Sequence, residues 1–180
     1  MAAARPPQGG YALKIHHMDP VHCIASYGNV QLSISRAEPT LAFVQVAMRL
    51  VREAARDFPN GIALLIVINA AARPPSEAAR DYIKNGLNHS GPTLRGVARV
   101  IEGQGFGSAA KRSAMSLLDL LMRPAYPTKI FGDVSEASVW VVQTLSKGPR
   151  VRFNPTDLVN AVQEMRSAHD SRMPPLASVR

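Results

Sequence analysis

Few residues in this sequence have the type and spacing to do chemistry. His16, His17 and His22 lie within seven positions of one another, while His89 and His169 stand alone. Three imidazoles begin a zinc site, but a closed tetrahedral site needs a fourth ligand, and nothing in the spacing marks one. No metal or other cofactor is therefore expected. Cys23, the single cysteine, alternates with Val21, Ala25 and Tyr27. That pattern reads as a small buried residue in a strand, not as a nucleophile. Asp and Glu number 13, and no two are spaced for acid–base work. No residue is assigned a catalytic role, and the chain reads as non-enzymatic.

Two further features could handle anions. Gly103-Gln-Gly105-Phe-Gly107 falls between a strand and a helix, where phosphate loops live. It lacks the third glycine and the acidic partner of a dinucleotide fingerprint, and the Gly-Lys-Ser/Thr ending of a P-loop. A tight turn explains it, with anion binding at Gly105, Lys111 and Arg112 as the functional alternative. Arg95 and Arg99 join that candidate set. They are expected side by side with Val97 on one face of a strand, opposite Leu94, Ala98 and Val100. The second feature is Ser76, which opens a helix with Glu77, Arg80, Asp81 and Lys84 behind it. Ser is a favoured N-cap, and a phosphate there would meet free backbone N–H groups and the helix dipole.

These residues need a frame. Val21–Tyr27 and Val30–Arg36 flank Gly28-Asn29, a hairpin turn. In the second strand Val30, Leu32 and Ile34 alternate with Gln31, Ser33 and Ser35, which predicts one buried and one wet face. A helix near Pro39 carries Phe43, Ala47, Leu50, Val51 and Ala54 as one stripe and stops at Pro59-Asn60-Gly61. Ile62–Ile68 (IALLIVI) is apolar on both faces, as a strand covered on both sides would be. A helix from Ser76 to about Leu87, a strand Leu94–Ile101, a helix Phe106–Met122 and a short strand Thr128–Phe131 follow. Asp133-Val-Ser-Glu136 is a capping box for a helix ending at Ser146. Asn154-Pro155-Thr156-Asp157 caps an amphipathic helix with a Leu158, Val162 and Met165 stripe. Residues 1–20 and 169–180, rich in Pro and Gly or lacking period, read as flexible tails.

The order ββαβαβα plus an appended helix implies an α/β domain with a small, mostly parallel sheet. With 180 residues and 46% hydrophobic content, one domain spanning 21–168 is expected. The longest apolar run, seven residues, is far short of the ~20 that span a bilayer. MAAARPPQGG has no signal-type apolar core, so a cytoplasmic chain is expected. The net charge is +8, and half of that excess lies between Arg95 and Lys129. An anionic partner would suit it, but 6% aromatics supply no stacking platform for nucleic acid.

The hairpin, the long first helix, IALLIVI leading to a helix at Ser76, and the closing TKIFGDVSEASVW together resemble the STAS domain. That is the fold of bacterial anti-sigma factor antagonists of the SpoIIAA type, and the likeness covers Val21 to Lys147. It implies a regulatory, protein-interaction domain whose partner is a kinase or an anti-sigma-like protein. In the family, a serine at the start of the helix after the third strand is phosphorylated by a partner kinase. Ser76 matches it, with Glu77, Arg80 and Lys84 on the facing surface. The Asp that usually precedes that serine is replaced here by the run from Asn69 to Pro75. Other SpoIIAA-like folds hold an apolar pocket, so a small-ligand or lipid-binding domain is the alternative, and a homodimer is compatible with either.

Overall fold

The computed structural model describes residues 10–103, 126–147 and 152–172. Among them are six strands, β1 (Lys14–Met18), β2 (His22–Tyr27), β3 (Val30–Ser35), β4 (Ile62–Asn69), β5 (Leu94–Glu102) and β6 (Thr128–Phe131). They form one sheet in the order β1-β2-β3-β4-β5-β6. The β1–β2 and β2–β3 pairs are antiparallel, and β3 through β6 run parallel. Four helices accompany them, α1 (Leu41–Asp57), α2 (Glu77–His89), α3 (Val134–Leu145) and α4 (Pro155–Arg172). The chain is thus an α/β fold with a mostly parallel sheet. The expected helix Phe106–Met122 lies outside the described residues.

Local chemistry sets most boundaries. Gly28 has φ +57° at the β2–β3 turn, a conformation that costs a side-chain-bearing residue but not glycine. The first helix begins at Leu41, two residues later than Pro39 suggests. Thr40 is its cap, and its hydroxyl accepts the Phe43 N–H at 3.2 Å. Asp133 Oδ1 accepts the Glu136 N–H at 2.9 Å and opens α3 as the capping box predicts. Asn154 and Asp157 cap α4 reciprocally, each side chain accepting the other's backbone N–H at 3.1 and 2.9 Å.

The sheet is covered on both sides. Ile24, Ile62, Leu64 and Val97 pack with Phe43, Val44, Ala47, Met48 and Val51 of α1 and Ala79 and Leu87 of α2. Cys23, Leu32, Leu65, Val67, Ala98 and Val100 pack with Val141 and Leu145 of α3 and Leu158, Val162 and Met165 of α4. Two apolar faces on β4 explain why IALLIVI carries no alternation. The same layering corrects the expectation for β3. Gln31 and Ser35 are buried beneath α1 and not wet, and Gln31 Nε2 donates to the Ala47 carbonyl at 3.4 Å.

Both expected tails are corrected at their inner ends. Residues 14–18 form β1, paired with β2 from Lys14↔Ser26 to Met18↔Cys23. A bulge between Ile15 and His17 breaks the two-residue period, which hid the strand in the sequence. At the other end α4 continues to Arg172, and His169 is buried with 1% of its surface exposed. The two ends also meet, because His169 Nε2 donates to the Asp19 carbonyl at 2.7 Å.

Candidate functional site

The parallel strands β3–β6 deliver their C-terminal ends to one edge of the sheet, where loops of α/β folds gather function. Asn69 ends β4, and its Oδ1 accepts the Ala71 N–H at 2.8 Å while its carbonyl accepts the Ala72 N–H at 2.9 Å. This Asx-type turn does locally what an Asp at that position would do. The Ala70 N–H bonds the Glu102 carbonyl at 3.0 Å, so the loop leans on the end of β5. The chain then runs through Arg73-Pro74-Pro75 to Ser76, the N-cap of α2. The Ser76 hydroxyl accepts the Ala79 N–H at 3.4 Å, a long cap bond.

Ala79, Gly86 and Leu87 bury one side of α2. At Gly86 the helix crosses α1 so closely that a Cβ would stand 2.8 Å from Met48 Sδ. The opposite side is solvent-facing, with Ser76, Glu77, Arg80, Asp81 and Lys84 all exposed. The spacing 77, 80, 84 keeps these side chains on one stripe. The fold therefore brings Ser76, Glu77, Arg80 and Lys84 together on one surface.

Of the anion candidates, Arg95 and Arg99 lie among the described residues, and they are not placed as a pair. A register shift at the start of β5 puts Arg95 at a bulge, so Arg95 and Arg99 do not stand side by side as alternation predicts. The Arg95 guanidinium donates to the Asn60 carbonyl at 3.1 Å, at the opposite end of β4 from Ser76. Arg99 lies across from Ile66 and Ile130, half-buried within the sheet. Gly105, Lys111 and Arg112 lie outside the described residues.

A polar junction that sequence reasoning missed sits at the β1–β2 turn. Asp19 Oδ1 accepts the backbone N–H groups of Val21 and His22, each at 2.8 Å. Asp19 Oδ2 stands 3.2 Å from His17 Nε2 and 3.3 Å from His22 Nδ1. The His22 ring stacks on Phe43 of α1, with centroids 4.2 Å apart. Burial alone would push the Asp19 carboxyl up, but those hydrogen bonds and the His22 charge prevail and hold it below its usual value. The available signal was Asp19-Pro20, a turn pair directly before β2. No group of three or more His, Cys, Asp and Glu that could hold a metal is found among the described residues. Cys23 is fully buried, and burial pushes its thiol up to about 11, far from nucleophilic readiness.

A carboxyl held low in the folded state adds stability above the unfolded value of about 3.9, and that stability is lost as pH falls through the folded value. Acid unfolding below about pH 4 should therefore be partly due to Asp19. Asp19→Asn is expected to be less stable at pH 7 and to lose less on acidification. Parallel urea titrations at pH 7 and pH 3 check this; equal pH dependence in both proteins would remove Asp19 from the account.

No helix among the described residues is long and apolar enough to cross a membrane. No protein-family profile matches the chain, and no curated protein matches it. Among solved structures it is similar to an uncharacterized DUF3478-family protein with a SpoIIAA-like fold from Shewanella loihica PV-4. The identity is 18% and the TM-score 0.45, over 78% of this chain and 98% of that one. The fold described above stands on strand order and pairing, not on that likeness.

Proposed function

We propose that this chain is a non-enzymatic regulatory domain that binds a protein partner through the exposed start of α2, with Ser76 as its switch. The observation that carries this reading is the surface itself. A cap hydroxyl stands in solvent at the head of a stripe formed by Glu77, Arg80 and Lys84, on a helix anchored from behind by Ala79 and Leu87. Mixed charge on a rigid, unhindered helix suits recognition of a polar protein face, which sets partner choice and encounter rate. Phosphorylation of Ser76 would add about −1.5 to −2 charge at a helix N-terminus that tolerates it. The fold would stay intact while the surface charge reverses locally. The STAS resemblance supplies the partner class, a serine kinase or an anti-sigma-like protein, and a cytoplasmic setting.

The test uses a partner recovered by cross-linking in the native host. Arg80→Glu is expected to weaken its binding at least tenfold at unchanged thermal midpoint. Ser76→Ala should cost about 1 kcal/mol of stability and little affinity. Ser76→Asp should keep the helix, since Asp caps as well, yet weaken binding well beyond Ser76→Ala. Equal affinities for the two Ser76 variants would reject the switch, and an unaffected Arg80→Glu would reject the surface.

A further inference from the structure

The docking of α4 changes character along its length. From Leu158 to Met165 it is apolar, with Leu158, Ala161, Val162 and Met165 buried on the sheet. Beyond Met165 the buried residue of the helix is His169, and the contacts become polar. Arg166 pairs with Glu102 at the end of β5, His169 donates to the Asp19 carbonyl, and Asp170 pairs with Arg36 just after β3. The last residue of β5, the β1–β2 turn and the residue after β3 are thus tied to the last two turns of one helix.

These ties hold weakly. In the two ion pairs, Asp170 is 61% exposed and Glu102 43%, so solvent screens both. His169 gives its Nε2 proton to Asp19, but its Nδ1 is buried without a hydrogen-bond partner. Opening the segment would hydrate that nitrogen, which offsets part of the bond lost. Little apolar area holds the segment, its ties are screened, and one buried atom gains by leaving. Those are the marks of a locally opening unit.

We infer that the last two turns of α4, Arg166–Arg172, are an electrostatic strap that opens and closes over the β1–β2–β3 hairpin edge without unfolding the domain. Cys23 sits on β2, a strand that α4 packs against, in one apolar cluster with Met165, the residue just before the strap. That thiol lies on the α4 side of the sheet between Met18 and Ile34 in register, and Arg172 and Arg36 act on it electrostatically. Cys23 is the sole cysteine, so the wild-type chain carries a reporter of its own.

The experiment follows the reaction of Cys23 with an aromatic disulfide reagent as a function of urea, beside global unfolding followed by circular dichroism. Strap opening exposes little surface, so labelling at low urea should have a much shallower urea dependence than global unfolding. It should also run at least tenfold faster than the unfolding equilibrium allows. Asp170→Asn, and separately 1 M NaCl in place of 0.05 M, should each accelerate labelling about threefold or more with the thermal midpoint little changed. Labelling that tracks global unfolding in rate and slope would overturn the strap. Shallow labelling indifferent to Asp170→Asn and to salt would overturn it as well, because the thiol would then be reached by an opening elsewhere.

Discussion

Val162→Asp is expected to destabilise the domain by several kcal/mol, enough to unfold much of it at 37 °C. Val162 is 1% exposed and lies in one cluster with Leu158, Met165, Val141 and Leu145. Burying an aliphatic side chain of this size contributes about 1.5–3 kcal/mol, and that is lost. The carboxylate adds a cost of its own, since a charge among these apolar side chains must stay protonated or reach water. A helix with so few apolar positions has no stability alone, so its packing on the sheet holds it. Asn160→Asp, at an exposed position of the same helix, is the matched control and should lie within about 0.5 kcal/mol of wild type. Urea titrations of both variants settle the point. A Val162→Asp protein as stable as the control would mean that α4 does not pack as described.

The parts of this fold that were legible in the sequence are those where one local signal dominates. IALLIVI has no alternation because both faces of β4 are covered, and its length fits a strand but not a helix. Gly28-Asn29 marks the hairpin, and Asp133 and Asn154 mark helix starts through side chains that cap their own backbone. What escaped depended on contacts far apart in the chain. His169 has a role only because Asp19, 150 residues away, offers its carbonyl. Gln31 and Ser35 look like a wet face until α1 is laid over them. Arg95 and Arg99 look paired until the bulge separates them. Ser76 was legible as a cap, and its stripe as one helix face. Its function was not, because an N-cap serine has the same local chemistry whether or not a partner reads it.

Removing residues 1–18 is expected to lower the thermal midpoint by roughly 10 °C or more and to make the protein prone to association. A chain read as tailed up to residue 20 would shed this segment at no cost. The structure gives it three attachments. β1 contributes the ladder to β2, and each backbone bond lost costs about 0.5–1.5 kcal/mol net of rehydration. Tyr11 meets Tyr27 and Phe153 edge-on, with centroids 6.0 and 6.1 Å away, and lies over Gly28. Such aromatic pairs are worth about 0.5–1.5 kcal/mol each beyond the area they bury. Tyr11, Leu13 and Met18 also pack against the core on the α4 side. Summed, several kcal/mol leave with the segment, and each is worth about 2–4 °C in a domain of this size. The new edge would be β2, whose His22, Cys23, Ile24 and Ala25 are buried in the intact fold. An apolar edge strand with unpaired N–H and C=O groups is a template for another chain, whereas β1 protects the edge with a bulge, Lys14 and two histidines. Calorimetry and light scattering on the truncated chain measure both effects. Tyr11→Ala in the full chain, expected to lose only the aromatic share, separates packing from pairing. A truncated protein that melts within a few degrees of wild type and stays monodisperse would show that β1 decorates the sheet without holding it.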